Sequence, residues 1–258
     1  MMLAAPPLAT HEVVSQEEWL ERRKELLLRE KELTRQRDAV DEARRALPWV
    51  KVEKEYVFQG PNGRETLADF FAGRSQLIVQ HFMFGPSWNE GCVGCSFKSD
   101  HIDGALTHLE HHDVSFVSVS EAPYEKIAAF RKRMGWRFHW VSAYGSDFNY
   151  DFHVSFRPEE LATGRIYYNY DLRPAAIDQG PGDSVFCRNE RGEIFHTYST
   201  FGRGDEMLTA AYMYLDMTPL GRNENGPSFT LMDWVKHHDG YESAQSPASC
   251  CHGAKNGH

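Results

Sequence analysis

The stretch Leu77–Leu109, LIVQHFMFGPSWNEGCVGCSFKSDHIDGALTHL, constrains this chain most. Leu77-Ile78-Val79 and Phe82-Met83-Phe84 form an apolar run of strand length. Gly85-Pro86-Ser87 punctuates its end. Cys92-Val93-Gly94-Cys95 follows, leading into Phe97, Ile102, Ala105 and Leu109 at helical spacing. Two thiols in a loop that opens a helix can do chemistry that two scattered thiols cannot. The free N–H groups of a helix start stabilise a thiolate and lower the pKa of the first cysteine. A two-residue gap lets the second thiol reach the first and close a disulfide.

Composition narrows the class of protein. With 258 residues and 41% hydrophobic content, the chain can bury the core of one large domain with additions. A net charge of −9 without a basic stripe argues against nucleic acid as a partner. No run of about 18 apolar residues is present, so no membrane-spanning helix is expected. The opening MMLAAPPLATHEVV lacks a charged n-region and is not read as a secretory signal, which points to a cytoplasmic setting. Five cysteines in a chain of this size do not make a disulfide scaffold and suit redox chemistry or metal binding.

Residues 1–14 read as a flexible leader and 15–47 as a helical extension, capped by Ser15 with Glu18 three residues on. Its thin apolar stripe of Trp19, Leu20, Leu26, Leu27, Leu33, Val40 and Leu47 suits a helix lying across the domain or a homodimer arm. Val50–Phe58 alternates as a strand, and Thr66–Phe71 reads as a short helix. Val114–Val119 reads as a strand, Ala122-Pro123 starts a helix stopped by Gly135, and Trp140-Val141-Ser142 reads as a further strand. Such alternation predicts an α/β core with a parallel sheet. From about 145 to 181 the pattern dissolves into an aromatic, loop-rich insertion, expected to be a lid or pocket wall. Ser184–Cys187 and Glu193–Tyr198 flank a hairpin turn at Asn189–Gly192, and a helix is expected from about Asp205 to Leu215. The core domain therefore runs over 48–220, and 221–258 is a polar tail carrying Cys250-Cys251-His252.

The order strand, CxxC, helix, strand, helix, strand, hairpin and closing helix resembles the thioredoxin-like plan. Ala122–Ile127 and Lys132–Trp136 are similar to the second core helix of peroxiredoxin-type members. More closely, the chain resembles the thioredoxin-like family called domain of unknown function 899 (DUF899). The phrases that carry this likeness are Leu47-Pro48-Trp49-Val50, His81-Phe82-Met83-Phe84, Ser146–Phe152 and His196-Thr197-Tyr198-Ser199-Thr200. Two departures from the wider superfamily matter. Glu90 and Val93 stand where peroxiredoxins place the threonine or serine and the peroxidatic cysteine. Thioredoxins pack a proline on the thiols just before the hairpin; with that region read as Gly182-Asp183-Ser184, no such proline is expected here.

Three functions fit these residues. The first is dithiol–disulfide exchange with a thiol or disulfide partner, in which Cys92 attacks, Cys95 resolves and Glu90 accepts a proton, with Trp88 covering the thiols. The second is a copper site made of Cys92 and Cys95 with an imidazole, since soft thiolates suit Cu(I). His153 and His196 are its preferred ligands over His81 and His101. The third is a non-enzymatic binding module whose pocket is lined by Tyr144, Phe148, Tyr150, Phe152, Tyr167, Tyr168 and Tyr170.

Overall fold

The computed structural model describes residues 11–222 and 234–241. A helix, α1 (Gln16–Arg45), precedes a mixed sheet of eight strands. In chain order these are β1 (Val50–Lys51), β2 (Val57–Gly60), β3 (Gly63–Thr66), β4 (Gln76–His81), β5 (Val114–Ser120) and β6 (His139–Ser142), then β9 (Gly182–Arg188) and β10 (Ile194–Phe201). A separate hairpin, β7 (Arg165–Tyr168) with β8 (Asp171–Pro174), lies within the insertion. The spatial order is β1-β10-β9-β4-β5-β6-β2-β3, with β4, β5 and β6 parallel and β9 antiparallel to β4. The helices are α2 (Val93–Ser99), α3 (Leu106–His111), α4 (Tyr124–Met134), α5 (Phe148–Asp151), α6 (Pro158–Ala162) and α7 (Ala210–Leu215). This is the thioredoxin-like α/β plan: β4, the CxxC segment, α2–α3, β5, α4, β6, the β9–β10 hairpin and α7.

The direction of strand addition decides where the helices lie. From β4 to β5 to β6 the chain steps the same way twice, and right-handed crossovers then put both sets of helices on one face. On that face Phe82, Phe84, Ile127, Phe130, Trp136 and Trp140 form one core. Tyr56, Phe58, Phe70, Phe71, Phe148 and Phe186 form the core of the other face. Neighbouring residues of β4 show the division, because side chains alternate along a strand. Gln80 accepts a hydrogen bond from Ser99 of α2 at 3.1 Å, whereas His81 stacks on Phe148 with ring centroids 5.5 Å apart.

Several expectations change. The alternating run Val50–Phe58 is not one strand: β1 pairs with β10 at one edge of the sheet, and β2 pairs with β3 and β6 at the other. The residues between them cross the whole sheet, with Val52 and Tyr56 packed on its core. The helix expected from the CxxC through Leu109 is two, α2 and α3, so His101 lies between them. Carboxylates pull this break toward α4 and β6: Asp100 accepts from Trp136 Nε1 at 2.8 Å, and Asp103 from the Arg137 and Phe138 amides at 2.8 and 3.0 Å. Thr66 ends β3 and only Asp69–Phe71 is helical, as a 3-10 turn. The helix expected from Asp205 is a 3-10 segment, Gly202–Leu208, followed by α7. The insertion is more ordered than its irregular sequence implied, holding α5, α6 and the β7–β8 hairpin. Part of the polar tail also returns to the domain: Val235 packs with Phe97 and Tyr212, and His237 hydrogen-bonds the Gly91 carbonyl at 2.9 Å. Cys250-Cys251-His252 and the first ten residues of the leader lie outside the described residues.

Ser15 caps α1 as its spacing predicts, accepting from the Glu18 N–H at 3.2 Å. Ion pairs along the helix, such as Glu18–Arg22, add local support. No residue of α1 is buried, and Trp19 and Leu28 are 52% and 68% exposed. Its described contact with the sheet is at its C-terminal end, where the Arg44 guanidinium lies 4.8 Å from the Tyr198 ring centre. The stripe therefore does not lie across the domain. No described helix is long and apolar enough to cross a membrane. Removing residues 1–38 is expected to change stability by no more than about 0.5 kcal/mol, or roughly 2 °C in Tm. A fall well beyond that in a thermal melt would mean that the stripe is covered in solution, as a homodimer arm would be.

Candidate active site

The CxxC segment is held by close packing at its entry. A Cβ on Gly91 would meet the Phe82 ring at 2.6 Å and the Phe130 ring at 2.9 Å, so a side chain here would push the loop off the core. The Cys92 N–H then donates to the Met83 carbonyl at 2.9 Å. Cys92 is the N-cap residue of α2, and its carbonyl accepts from the Ser96 N–H and hydroxyl at 2.9 and 2.8 Å. Both thiols are free; Cys92 is half-buried and Cys95 buried.

This placement separates the two thiols electrostatically. A hydrogen bond from the Cys95 thiol, joined by the Cys95 and Gly94 backbone N–H groups, outweighs burial and lowers the Cys92 pKa to about 7. Cys95 is pushed well above the ordinary thiol value, by the same pairing with Cys92 and then by burial. Cys92 is therefore the thiol that ionises around neutral pH, and Cys95 the one that keeps its proton.

Both cysteines line a cavity of about 210 Å³ with Met83, Phe97, Pro181 and Tyr212 among its walls. Pro181 corrects the expectation that no proline stands here, since it lines the same cavity as the two thiols. It directly precedes β9, and the hydroxyl of Tyr168 donates to its carbonyl at 2.7 Å. No peptide bond among the described residues is cis.

Lys98, one helical turn after Cys95, is the principal feature that the sequence did not reveal. Its ammonium is buried between Asp183 Oδ2 at 2.7 Å and Asp205 Oδ2 at 2.6 Å. Lys98 and Asp205 line the thiol cavity. Burial alone would lower the lysine pKa; the two carboxylates outweigh it and hold the group above its ordinary value. One cation cannot neutralise two buried carboxylates, and Asp183 is pushed up to about 6, chiefly by burial. Its Oδ1 is buried without a hydrogen-bond partner. The helical spacing Cys95–Lys98 was legible in the chain, but the two aspartates are 85 and 107 residues away from the lysine.

Glu90 does not join the thiols. It is exposed, pairs with Arg133, and lies 3.7 Å from His237 Nδ1. Trp88 packs on the same aromatic core as Cys92 but is not among the residues lining the thiol cavity. His153 and His196 line a different cavity, and His81, on the far face of the sheet, is held by Asn149 and Ser184. His101 Nε2 accepts from the Ala211 N–H at 3.1 Å. The set Cys92, Cys95, His153 and His196 is thus not brought together, and the described residues contain no group of three or more His, Cys, Asp or Glu side chains placed to hold a metal ion. Of the aromatic residues proposed as a pocket, Phe152, Tyr167 and Tyr170 share one cavity; Phe148 and Tyr168 are buried, and Tyr150 lies under the Arg157 guanidinium at 4.2 Å.

A thioredoxin-like sheet whose central strand runs into two thiols opening a helix defines the class of this protein. The chain belongs to the family described as bacterial protein of unknown function (DUF899), whose model matches residues 8–241. No curated protein matches the sequence. Among solved structures it is similar to a putative thiol:disulfide interchange protein DsbE from Chlorobium tepidum, at 12% identity and a TM-score of 0.40, covering 68% of this chain and 99% of that one. It is also similar to a cysteine-to-serine variant of PrxQ from Xylella fastidiosa, at 11% identity and a TM-score of 0.39, covering 62% and 89%. For the peroxidoxin BcpB from Mycobacterium tuberculosis the identity is 12% and the TM-score 0.39, covering 64% of this chain and 94% of that one.

Two outcomes test the site. Iodoacetamide should label Cys92 before Cys95, with a rate that rises with pH through about 7 as the thiol gives way to thiolate; peptide mapping reads both. Lys98→Met should cost about 3–5 kcal/mol in urea unfolding, because it leaves two buried carboxylates without their cation.

Proposed function

We propose that this protein is a dithiol–disulfide oxidoreductase acting through Cys92 and Cys95. The observation that carries this reading is the asymmetry of the pair, with one half-buried thiol lowered to about 7 and its buried partner raised. In the reductive direction the Cys92 thiolate attacks a substrate disulfide. A Cys92–substrate disulfide forms, and the other substrate sulfur leaves as a thiolate that takes up a proton. Cys95 then loses its proton and attacks the Cys92 sulfur, forming the Cys92–Cys95 disulfide and releasing the second substrate thiol. The pair gives up two electrons and the substrate gains them; an external dithiol restores the reduced enzyme.

Glu90 is not the proton acceptor in this scheme, since its carboxylate is committed to Arg133. Of the carboxylates held by Lys98, Asp205 lines the thiol cavity together with Glu206, and Asp183, with a pKa raised to about 6, is the member of the cluster suited to exchange a proton near neutral pH. The small, largely apolar cavity suits the carbon atoms flanking a disulfide, and Pro181 offers one wall against which they would rest.

The test is reduction of insulin disulfides with dithiothreitol as the terminal reductant. Native protein should turn over, Cys92→Ser should fall to the uncatalysed rate, and Cys95→Ser should accumulate a mixed disulfide at Cys92, seen by mass spectrometry. Turnover that survives Cys92→Ser would overturn the reading.

A further inference from the structure

On the face of the sheet opposite α2 lies a second cavity, of about 300 Å³, whose walls include Phe152, Tyr167, Tyr170, Phe201 and His196. Among the described residues five non-glycine residues have a left-handed backbone, and three of them line this cavity: His153 (φ 54°), Asn169 (φ 53°) and Tyr170 (φ 63°). Asn169 and Tyr170 form the two-residue turn between β7 and β8, where a left-handed second position favours glycine. A bulky tyrosine holds that place here, and its hydroxyl donates to the Ser199 carbonyl at 2.9 Å. Backbone strain of this kind persists where the surroundings fix it, and it gathers at ligand sites.

Two imidazoles, His153 and His196, line this cavity, and the tautomer of His196 is fixed by its partners. His196 Nε2 lies 3.0 Å from the Tyr198 carbonyl, which can only accept, so Nε2 carries the proton. Nε2 also donates to Ser199 Oγ at 2.7 Å, Ser199 and Ser184 are joined at 2.8 Å, and Ser184 reaches His81 Nε2 at 2.8 Å. His81 Nδ1 is bound to Asn149 Oδ1 at 3.1 Å and must donate to it, which leaves His81 Nε2 to accept from Ser184. Every proton in the chain therefore points from His196 toward His81. Burial lowers the pKa of both rings, His81 to about 4, and keeps them neutral at pH 7. Among the described residues His196 Nδ1 has no hydrogen-bond partner, and it is an acceptor, not fully buried, on a ring that lines the cavity.

We propose that this cavity binds a hydroxyl-bearing aromatic compound, its ring among Phe152, Tyr167 and Tyr170 and its hydroxyl donating to His196 Nδ1. The aromatic walls favour a planar apolar body through edge-to-face contacts. His196 Nδ1 favours a ligand that carries a donor, and Glu53, Lys54, Asp151 and His153 make up much of the remaining polar wall. The site is separate from the thiols and does not depend on their chemistry.

The experiment compares 4-ethylphenol with 4-ethylanisole, which has the same ring but no donor, by calorimetric titration of the full chain. The phenol should bind about 3- to 10-fold more tightly, the range of one hydrogen bond. The preference should persist in Cys92→Ser and vanish in His196→Leu. Tyr167→Ala, at an exposed wall position, should weaken both compounds and stands in if His196→Leu fails to fold. Equal affinities for phenol and ether, or no binding of either at millimolar concentration, would overturn the proposal. So would binding of Cu(II) or Zn(II) that is lost in His196→Leu while the phenol does not bind.

Discussion

The burial of Lys98 is the interaction on which the candidate active site depends. One ammonium joins α2, which carries the thiols, to β9 through Asp183 and to the segment after β10 through Asp205. Its attraction for either carboxylate is strong because water is excluded, and the cost of removing any one member is high for the same reason. Without this contact nothing charged would fix α2 against the hairpin, and the position of Cys95 relative to Pro181 would rest on apolar packing alone. The same group sets the electrostatics of the cavity: a cation one turn from the buried thiol, with an excess carboxylate that holds its proton more tightly than an ordinary aspartate.

The sheet keeps two kinds of polar chemistry apart. Asp183 and Ser184 are consecutive residues of β9, and the pleat sends them to opposite faces. Asp183 enters the charged cluster beside the thiols, while Ser184 enters the neutral chain from His81 to His196. A charged cluster suits thiolate chemistry, in which protons are exchanged. A neutral chain of fixed polarity suits recognition, because it presents one acceptor in one state.

Two additions surround this core differently. The described part of the tail docks beside the CxxC loop through His237 and through Asp239, which pairs with Arg133 at 2.7 Å. Arg133 also pairs with Glu90, so the loop carboxylate serves to join the loop, α4 and the tail. The α1 helix, by contrast, keeps its apolar stripe exposed, and its order comes from capping and from ion pairs along its own length.

Periodicity and spacing along the chain were enough to place α1, its Ser15 cap, the parallel strands β4 and β5, α4 with its Gly135 stop, and the β9–β10 hairpin. They also placed Cys92 and Cys95 at the start of a helix. All of these are local signals, carried by residues within a few positions of one another. Tertiary structure decided the rest, because the deciding contacts join residues far apart in sequence. The strand expected at Val50–Phe58 was divided between the two edges of the sheet. Pro181 was brought to the wall of the thiol cavity by the register of β9 on β4, Lys98 met two distant aspartates, and Glu90 was drawn off to Arg133. His153 and His196 share the character of ligands with the cysteines, but the sheet lies between them, and no pattern of residue types along a chain records which face of a sheet a side chain will take when the strand is short and both faces are covered.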